Sequence, residues 1–316
     1  MRFSTNLMFS QRVSDMNEST ARWMEAGSKL ASGKRVNKPS DDAQASAQAV
    51  RVSQSENRNQ QYASTRGFAK TGMTLQMSIL SQMNQVSTQM DTTVIQASNQ
   101  GTLSDVDRDS LASQLQGLKD QLVSLGNTTD GNGRYIFGGY KSDTPPFAED
   151  PVTGEVIYSG GDKSITQNVG SDREMTSYFA GSEVFATTTT NGKGEKVVDM
   201  FTAINKGLEG LKIPQQNASQ VDLDRATAAM GEANRGIKAG MDKISNIEAK
   251  QGLQLQEIDS LNFLSDTRKI QNDSRMSELM ETDWTGTISD YQKEMSMFQA
   301  SQSIFKDLNS MSLFNR

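Results

Sequence analysis

The chain contains no cysteine and no histidine. Disulfides and thiolate chemistry are excluded, and so are the usual zinc and copper ligands. Catalysis by a nucleophile–histidine pair is excluded with them. An enzyme of this composition would have only carboxylates, Lys, Tyr or Ser to work with. The reading is therefore non-enzymatic, with no catalytic, cofactor-binding or metal-binding residue assigned. Aromatic residues are scarce at 6%, and hydrophobic residues make up 34% of the 316 residues. That is below the usual share for a compact globular protein. A single large spherical core is not expected, whereas a thin apolar seam needs fewer apolar residues.

Long hydrophobic runs are absent too. The longest near the start is Leu7-Met8-Phe9, too short for the h-region of a cleaved secretory signal. The stretch Thr71–Met90 is uncharged, but Ser, Thr, Gln and Asn break up its apolar residues, and membrane insertion is not expected. The net charge is −6, from 32 basic and 38 acidic residues, without a Lys/Arg-rich stripe. Nucleic-acid binding depends on neutralising phosphates and does not fit this balance.

What is present is helical periodicity at both ends. Phe9, Val13, Met16, Thr20, Trp23, Gly27 and Leu30 recur at alternating spacings of four and three, as in a coiled-coil seam. Gly33 is the expected helix stop. The polar turn Val36–Asp42 follows, with Ser40 or Asp41 as candidate cap for the next helix. That helix is expected from about Asp42 to Ser98, reaching roughly 80 Å at about 1.5 Å per residue. Ala43, Ala47 and Val50 form its seam in the first half, and Met77, Leu80, Met83, Met90, Val94 and Ala97 in the second. Ser104 and Asp107 approximate a capping box. Leu111, Leu115, Leu118, Leu122 and Leu125 make the clearest helical stripe, closed by Gly126.

From Asp130 to about Lys196 the character changes. Three of the five prolines lie here, at 145, 146 and 151. Tyr135–Phe137, Val156–Tyr158, Ser164–Thr166 and Tyr178-Phe179 read as short strands between turn signals. Helical spacing returns at Val198–Leu211, then from Asp222 to Met280, where Met241, Ile244, Ile247, Leu255, Ile258, Leu261 and Leu264 are the apolar positions. Gly231, Gly236, Gly240 and Gly252 interrupt that helix, each at a cost of about 1 kcal/mol relative to Ala. They either permit close helix contact or leave the helix marginal. The last segment carries Ile288, Tyr291, Met295, Phe298, Phe305 and Leu308 on one stripe. Since an apolar stripe must be buried, the front and back stripes are expected to pair.

The fold expected is mainly α with a β-rich insertion. It is an elongated antiparallel bundle of long helices from the N- and C-terminal halves, with coiled-coil-like termini and a small central β domain. Boundaries follow composition: an assembly helix and turn (1–41), the first half of a helical rod (42–130), an inserted β domain (131–197), the second half of the rod (198–283) and a C-terminal assembly helix (284–316). Phe9, Val13, Met16, Trp23, Leu30, Ile288, Tyr291, Met295, Phe298, Phe305 and Leu308 are the expected assembly residues. They either pair only within one subunit or also pack against neighbours. Gly131-Asn132-Gly133 and Gly138-Gly139 lack the strand–turn–helix order of phosphate-binding loops. The acidic clusters Asp41-Asp42, Asp107-Asp109 and Glu278-Glu281-Asp283 read as helix ends or solvated faces. The 17 methionines mostly sit at seam positions and read as packing.

The segment Leu30–Ala43, LASGKRVNKPSDDA, resembles the N-terminal signature of the flagellin family. The tail Ile288–Leu313, with ASQSIF at 300–305, is similar to that family's C-terminal helix. Within the family, NTTDGNGRYIFGGY at 127–140, Asp283-Trp284 and the Ser312-Leu313-Phe314 ending look like the members at the hook–filament junction. The resemblance implies a structural flagellar subunit exported without a cleaved signal, with its termini ordering on assembly. It implies as partners adjacent copies, the other junction protein, flagellin and, before secretion, an export chaperone. A short flagellin forming the filament itself is the alternative, and a secreted adhesin or effector a more distant one.

Overall fold

The computed structural model describes residues 5–99, 103–185, 189–190, 196–197, 199–215 and 218–310. Among them the elements in chain order are α1 (Thr5–Ser32), α2 (Ala43–Ala97), α3 (Asp105–Gly126), β1 (Phe147–Glu149), β2 (Val156–Tyr158), β3 (Ile165–Gly170), β4 (Arg173–Tyr178), α4 (Gly181–Val184), β5 (Thr189–Thr190), β6 (Lys196–Val197), α5 (Asp199–Leu211), α6 (Gln220–Met280) and α7 (Trp284–Ser310). The mainly helical fold with a small strand region is as expected. The chain divides into two compact units, one of residues 1–60 with 264–316 and one of residues 61–263. The strands do not form a core of their own, because Phe147, Val156, Tyr158 and Phe185 share one cluster with Leu80, Leu115, Phe201 and Ile244 from the helices.

In the 61–263 unit the leucine stripe of α3 behaves as its spacing requires. Leu115, Leu118 and Leu122 are buried, and Leu111 and Leu125 pack against the cluster. The capping box is present: the Ser104 side chain accepts from the Asp107 N–H while Asp107 accepts from the Ser104 N–H at 3.0 Å. Helix α3 ends at Gly126, as expected, with Asn127 at the cap. Gly126 is itself still helical, and a Cβ there would lie 2.7 Å from the Phe147 ring. The residue makes room for an aromatic rather than supplying a left-handed turn.

Helices α5 and α6 run close together because glycines line their contact. Gly236 lies against Ala203 and Gly240 against Met200, while Gly207 lies against Ala233. Close approach is thus the reason for two of the four interrupting glycines. Gly252 faces open space. Of the expected α6 seam, Ile244, Ile247 and Ile258 are buried, whereas Leu264 is exposed. In α2, Leu80, Met83, Met90, Val94 and Ala97 are buried, and Met77 is not.

Buried polar side chains tie the strand region to the helices. Gln76 grips the Phe179 backbone with both ends of its amide: Phe179 N–H donates to Oε1 at 2.8 Å, and Nε2 donates to the Phe179 carbonyl at 2.8 Å. Gln251 Nε2 donates to the same Oε1 at 2.6 Å. Lys119, almost wholly buried, donates to Glu149 at 2.6 Å and to the Gly154 carbonyl at 2.8 Å. Burial pushes the Tyr158 hydroxyl up to about 12. It is held by the carbonyls of Phe137 and Gly161.

Strands β1, β2, β6 and β5 lie in that order in one antiparallel sheet, and β3 pairs with β4 in a hairpin. The expected strands at Val156–Tyr158 and Ser164–Thr166 are matched by β2 and β3. Tyr135–Phe137 is a turn instead. Its backbone bonds run locally, Tyr135 N–H to the Ser142 carbonyl and Ile136 N–H to the Thr128 carbonyl, and Tyr135 forms an isolated antiparallel bridge with Thr129 and no strand among the described residues. The apolar side chains that suggested a strand are there to fill the core, where Ile136 and Phe137 are buried.

Candidate assembly surface

The unit formed by residues 1–60 and 264–316 contains the two terminal helices and the adjoining ends of α2 and α6. Helices α1 and α7 lie antiparallel, as their ring contacts show. Phe9 meets Phe305 with centroids 5.6 Å apart. Trp23 stacks on Phe298 at 5.3 Å with 7° between the planes, and reaches Tyr291 at 6.2 Å. Offset and tilted aromatic pairs contribute about 0.5–1.5 kcal/mol beyond their buried area. Gly27 gives Tyr291 its place, since a Cβ there would sit 3.3 Å from the ring. Arg22 on α1 reaches Glu294 on α7 at 3.4 Å. The Arg22 end of that ion pair is 52% exposed, so the pair adds little.

The predicted stripe is thus brought together, but it is only partly sheltered. Val13, Met16, Trp23, Leu30, Tyr291, Met295, Phe298 and Phe305 are half-buried. Phe9 is 49% exposed and Ile288 43%. Leu308 lies within α7, but its side chain falls outside the described residues, as does the 312–314 ending. Trp284, Met297 and Ile304 on α7 and Leu7 and Met24 on α1 add exposed apolar surface. A groove of about 250 Å³ runs between the helices, lined by Arg12, Ser19 and Arg22 on one side and Met297, Ile304 and Phe305 on the other.

The turn after α1 locks onto the end of α6. Gly33 takes a left-handed φ of 68°, as a helix-ending glycine does, and the Trp284 ring lies 3.3 Å from where its Cβ would be. Arg35 N–H donates to the Met280 carbonyl at 2.8 Å, and its guanidinium donates to the Leu279 carbonyl at 2.9 Å and to Asp42 at 3.0 Å. The Thr282 N–H returns a bond to the Gly33 carbonyl at 3.1 Å. Val36 is buried beneath this exchange. The α2 cap is Asp42, accepting from the Ala45 N–H at 2.9 Å, and not Ser40 or Asp41. Asp41 folds back to accept from the N–H groups of Asn37 and Lys38. The first part of α2 also buries Ala45 and Ala49 rather than Ala43, Ala47 and Val50. Its partners on α6 are polar: Asn59 and Ser265 bond reciprocally and Asn272 donates to Glu56, so small residues on that side suffice. Sequence spacing carried no signal for the Arg35 bond that reaches α6, because the Leu279 carbonyl lies 244 residues away.

The cap has a pH signature. The Ala45 N–H, and then the Arg35 guanidinium, hold the Asp42 carboxyl below its ordinary 3.8. Bonds from Lys38 and Asn37 lower Asp41 likewise. A depressed carboxyl favours the folded state above its unfolded value, and that contribution is lost as pH falls through the folded value. Both tryptophans, Trp23 and Trp284, belong to this unit. The urea midpoint read by tryptophan fluorescence is therefore expected to fall between pH 7 and pH 3. In Asp42→Asn it should start lower at pH 7 and fall less on acidification. An equal fall in both proteins would remove Asp42 from the account.

The bacterial flagellin N-terminal helical region matches residues 3–142. Flagellar hook-associated protein 3 of Escherichia coli is 40% identical over 319 residues, covering 99% of each chain. This chain belongs to the flagellar hook-associated protein 3 family. Among solved structures, a flagellar hook-associated protein from Vibrio parahaemolyticus superposes with a TM-score of 0.64 at 20% identity, over 76% of this chain and 100% of that one. The flagellar junction protein FlgL from Legionella pneumophila gives 0.61 at 17%, over 74% and 100%. Both share the fold. Among the described residues no helix is long and apolar enough to cross a membrane.

Proposed function

We propose that this chain is the structural subunit joining hook to filament in the bacterial flagellum, and that it assembles through the α1–α7 pair. The family membership supports the place. The incomplete shelter of the aromatic stripe supports the mechanism: Trp23 and Phe298 stack, yet Phe9 and Trp284 keep 49% and 55% of their surface exposed. Covering each large apolar side chain gains up to about 1.5–3 kcal/mol, and neighbouring helices of adjacent copies can supply that cover. The partners on this reading are copies of itself, the other junction protein, flagellin and an export chaperone before secretion. The chain leaves the cell through the flagellar export channel without a cleaved signal, performs no enzymatic reaction and takes no cofactor.

A strain lacking this chain is expected to build hooks and shed flagellin into the medium. The full chain should restore filaments, and a chain lacking residues 1–35 should not. Intact filaments in the deletion strain would sink the junction role, and rescue by the truncated chain would sink the terminal mechanism. Long filaments grown from the purified chain alone would favour a filament flagellin instead.

A further inference from the structure

The sequence alone assigns the methionines to packing, and six of the described ones obey fully. Met73, Met83 and Met90 are fully buried, and Met175, Met200 and Met230 nearly so. Two on the terminal pair do not. Met24 on α1 is 62% exposed, and Met297 on α7 is 45% exposed and lines the groove beside Ile304 and Phe305. By helical phase they lie on opposite flanks, since Met24 is one residue past the facing Trp23 and Met297 one before Phe298. Each flank of the pair thus presents a flexible, polarizable thioether at the surface proposed to receive a neighbour.

We infer that Met24 and Met297 make the terminal pair an oxidation-sensitive assembly surface. The inference rests on the proposed assembly role and adds a chemical control to it. The oxidant is a peroxide. A sulfur lone pair attacks one peroxide oxygen, the O–O bond breaks, an S–O bond forms and water leaves. Sulfur is oxidised by two electrons and the peroxide is reduced. The product sulfoxide is dipolar and hydrated, and it opposes desolvation against an apolar partner. The change is reversible by sulfoxide reductases. Inside an assembled array the same sulfurs would be covered and spared, so the surface is vulnerable only before assembly.

The test uses the purified full chain. Isolated hooks carrying the other junction protein, taken from cells that lack this chain, capture it, and sedimentation measures the amount. Hydrogen peroxide is expected to oxidise Met24 and Met297 at least about tenfold faster than Met73 and Met83, read by peptide mass. Met77, 36% exposed in the 61–263 unit, is the internal control for ordinary surface reactivity. Treated wild type should be captured at least about fivefold less than untreated, and methionine sulfoxide reductases should restore it. For the Met24→Leu/Met297→Leu double variant, the ratio of treated to untreated capture should stay near one, whatever its untreated level. Equal capture of treated and untreated wild type would overturn the inference while leaving the assembly role intact. So would an equal loss in the double variant, which would place the damage elsewhere. If untreated wild type is not captured, the assembly reading fails and this one falls with it.

Discussion

Replacing Gln76 with Ala is expected to lower the stability of the 61–263 unit by about 3 kcal/mol or more. The side chain is completely buried and satisfies three groups at once: the N–H and carbonyl of Phe179, and the amide of the equally buried Gln251. Each buried group left without a partner costs about 1–3 kcal/mol. Some of the loss is recovered if water enters the space left by the shortened side chain. Gln76→Leu removes that escape by refilling the space with carbon, so it should be as damaging as Ala or worse. For a domain of this size the shift in Tm is roughly 2–4 °C per kcal/mol, so about 10 °C is expected from far-UV circular dichroism. Tryptophan fluorescence should not follow that transition directly, since the unit has no tryptophan. A Gln76→Leu protein that melts within about 2 °C of wild type would show that the amide cluster contributes nothing to stability.

That cluster also marks the limit of what the sequence discloses. Local rules were legible. The Ser104–Asp107 box lies three residues apart, and a capping residue and its return bond are written in adjacent turns. Gly33 ends α1 where a glycine follows the last periodic residue. The α3 leucines announce their face by spacing alone. Gln76 and Gln251 are 175 residues apart, and a glutamine in an uncharged stretch looks the same whether it faces water or clamps a backbone. The misread strand at Tyr135–Phe137 has the same origin. β-branched and aromatic residues report burial as much as extension, and here burial was achieved in a turn. Gly126 and Gly236 could be recognised as exceptional, but only the neighbours Phe147 and Ala203 reveal that space and not backbone freedom is what each supplies.

The terminal stripe lies between these cases. Its period predicted a seam, and the seam forms, but period cannot say how much of it stays wet. In a globular core, Trp→Ala costs about 3–5 kcal/mol. Trp23 is half-buried, so roughly 2 kcal/mol is expected from lost area, with the Phe298 stacking added. The stripe gives little with which to absorb that loss, because its remaining contacts are half-buried as well. Trp23→Ala is therefore expected to loosen the α1–α7 pair while the far-UV melt of the 61–263 unit stays in place. Trp284, then the sole tryptophan, should shift its emission to the red as the Gly33 contact opens. Capture on isolated hooks should fall at least about tenfold, equivalent to about 1.4 kcal/mol. Phe305→Ala should do less to the isolated pair, since its partner Phe9 is already 49% exposed. Its effect should appear mainly in capture if neighbouring copies cover that end. A Trp23→Ala chain captured as well as wild type would mean that the aromatic stripe closes the subunit on itself and takes no part in joining it to others.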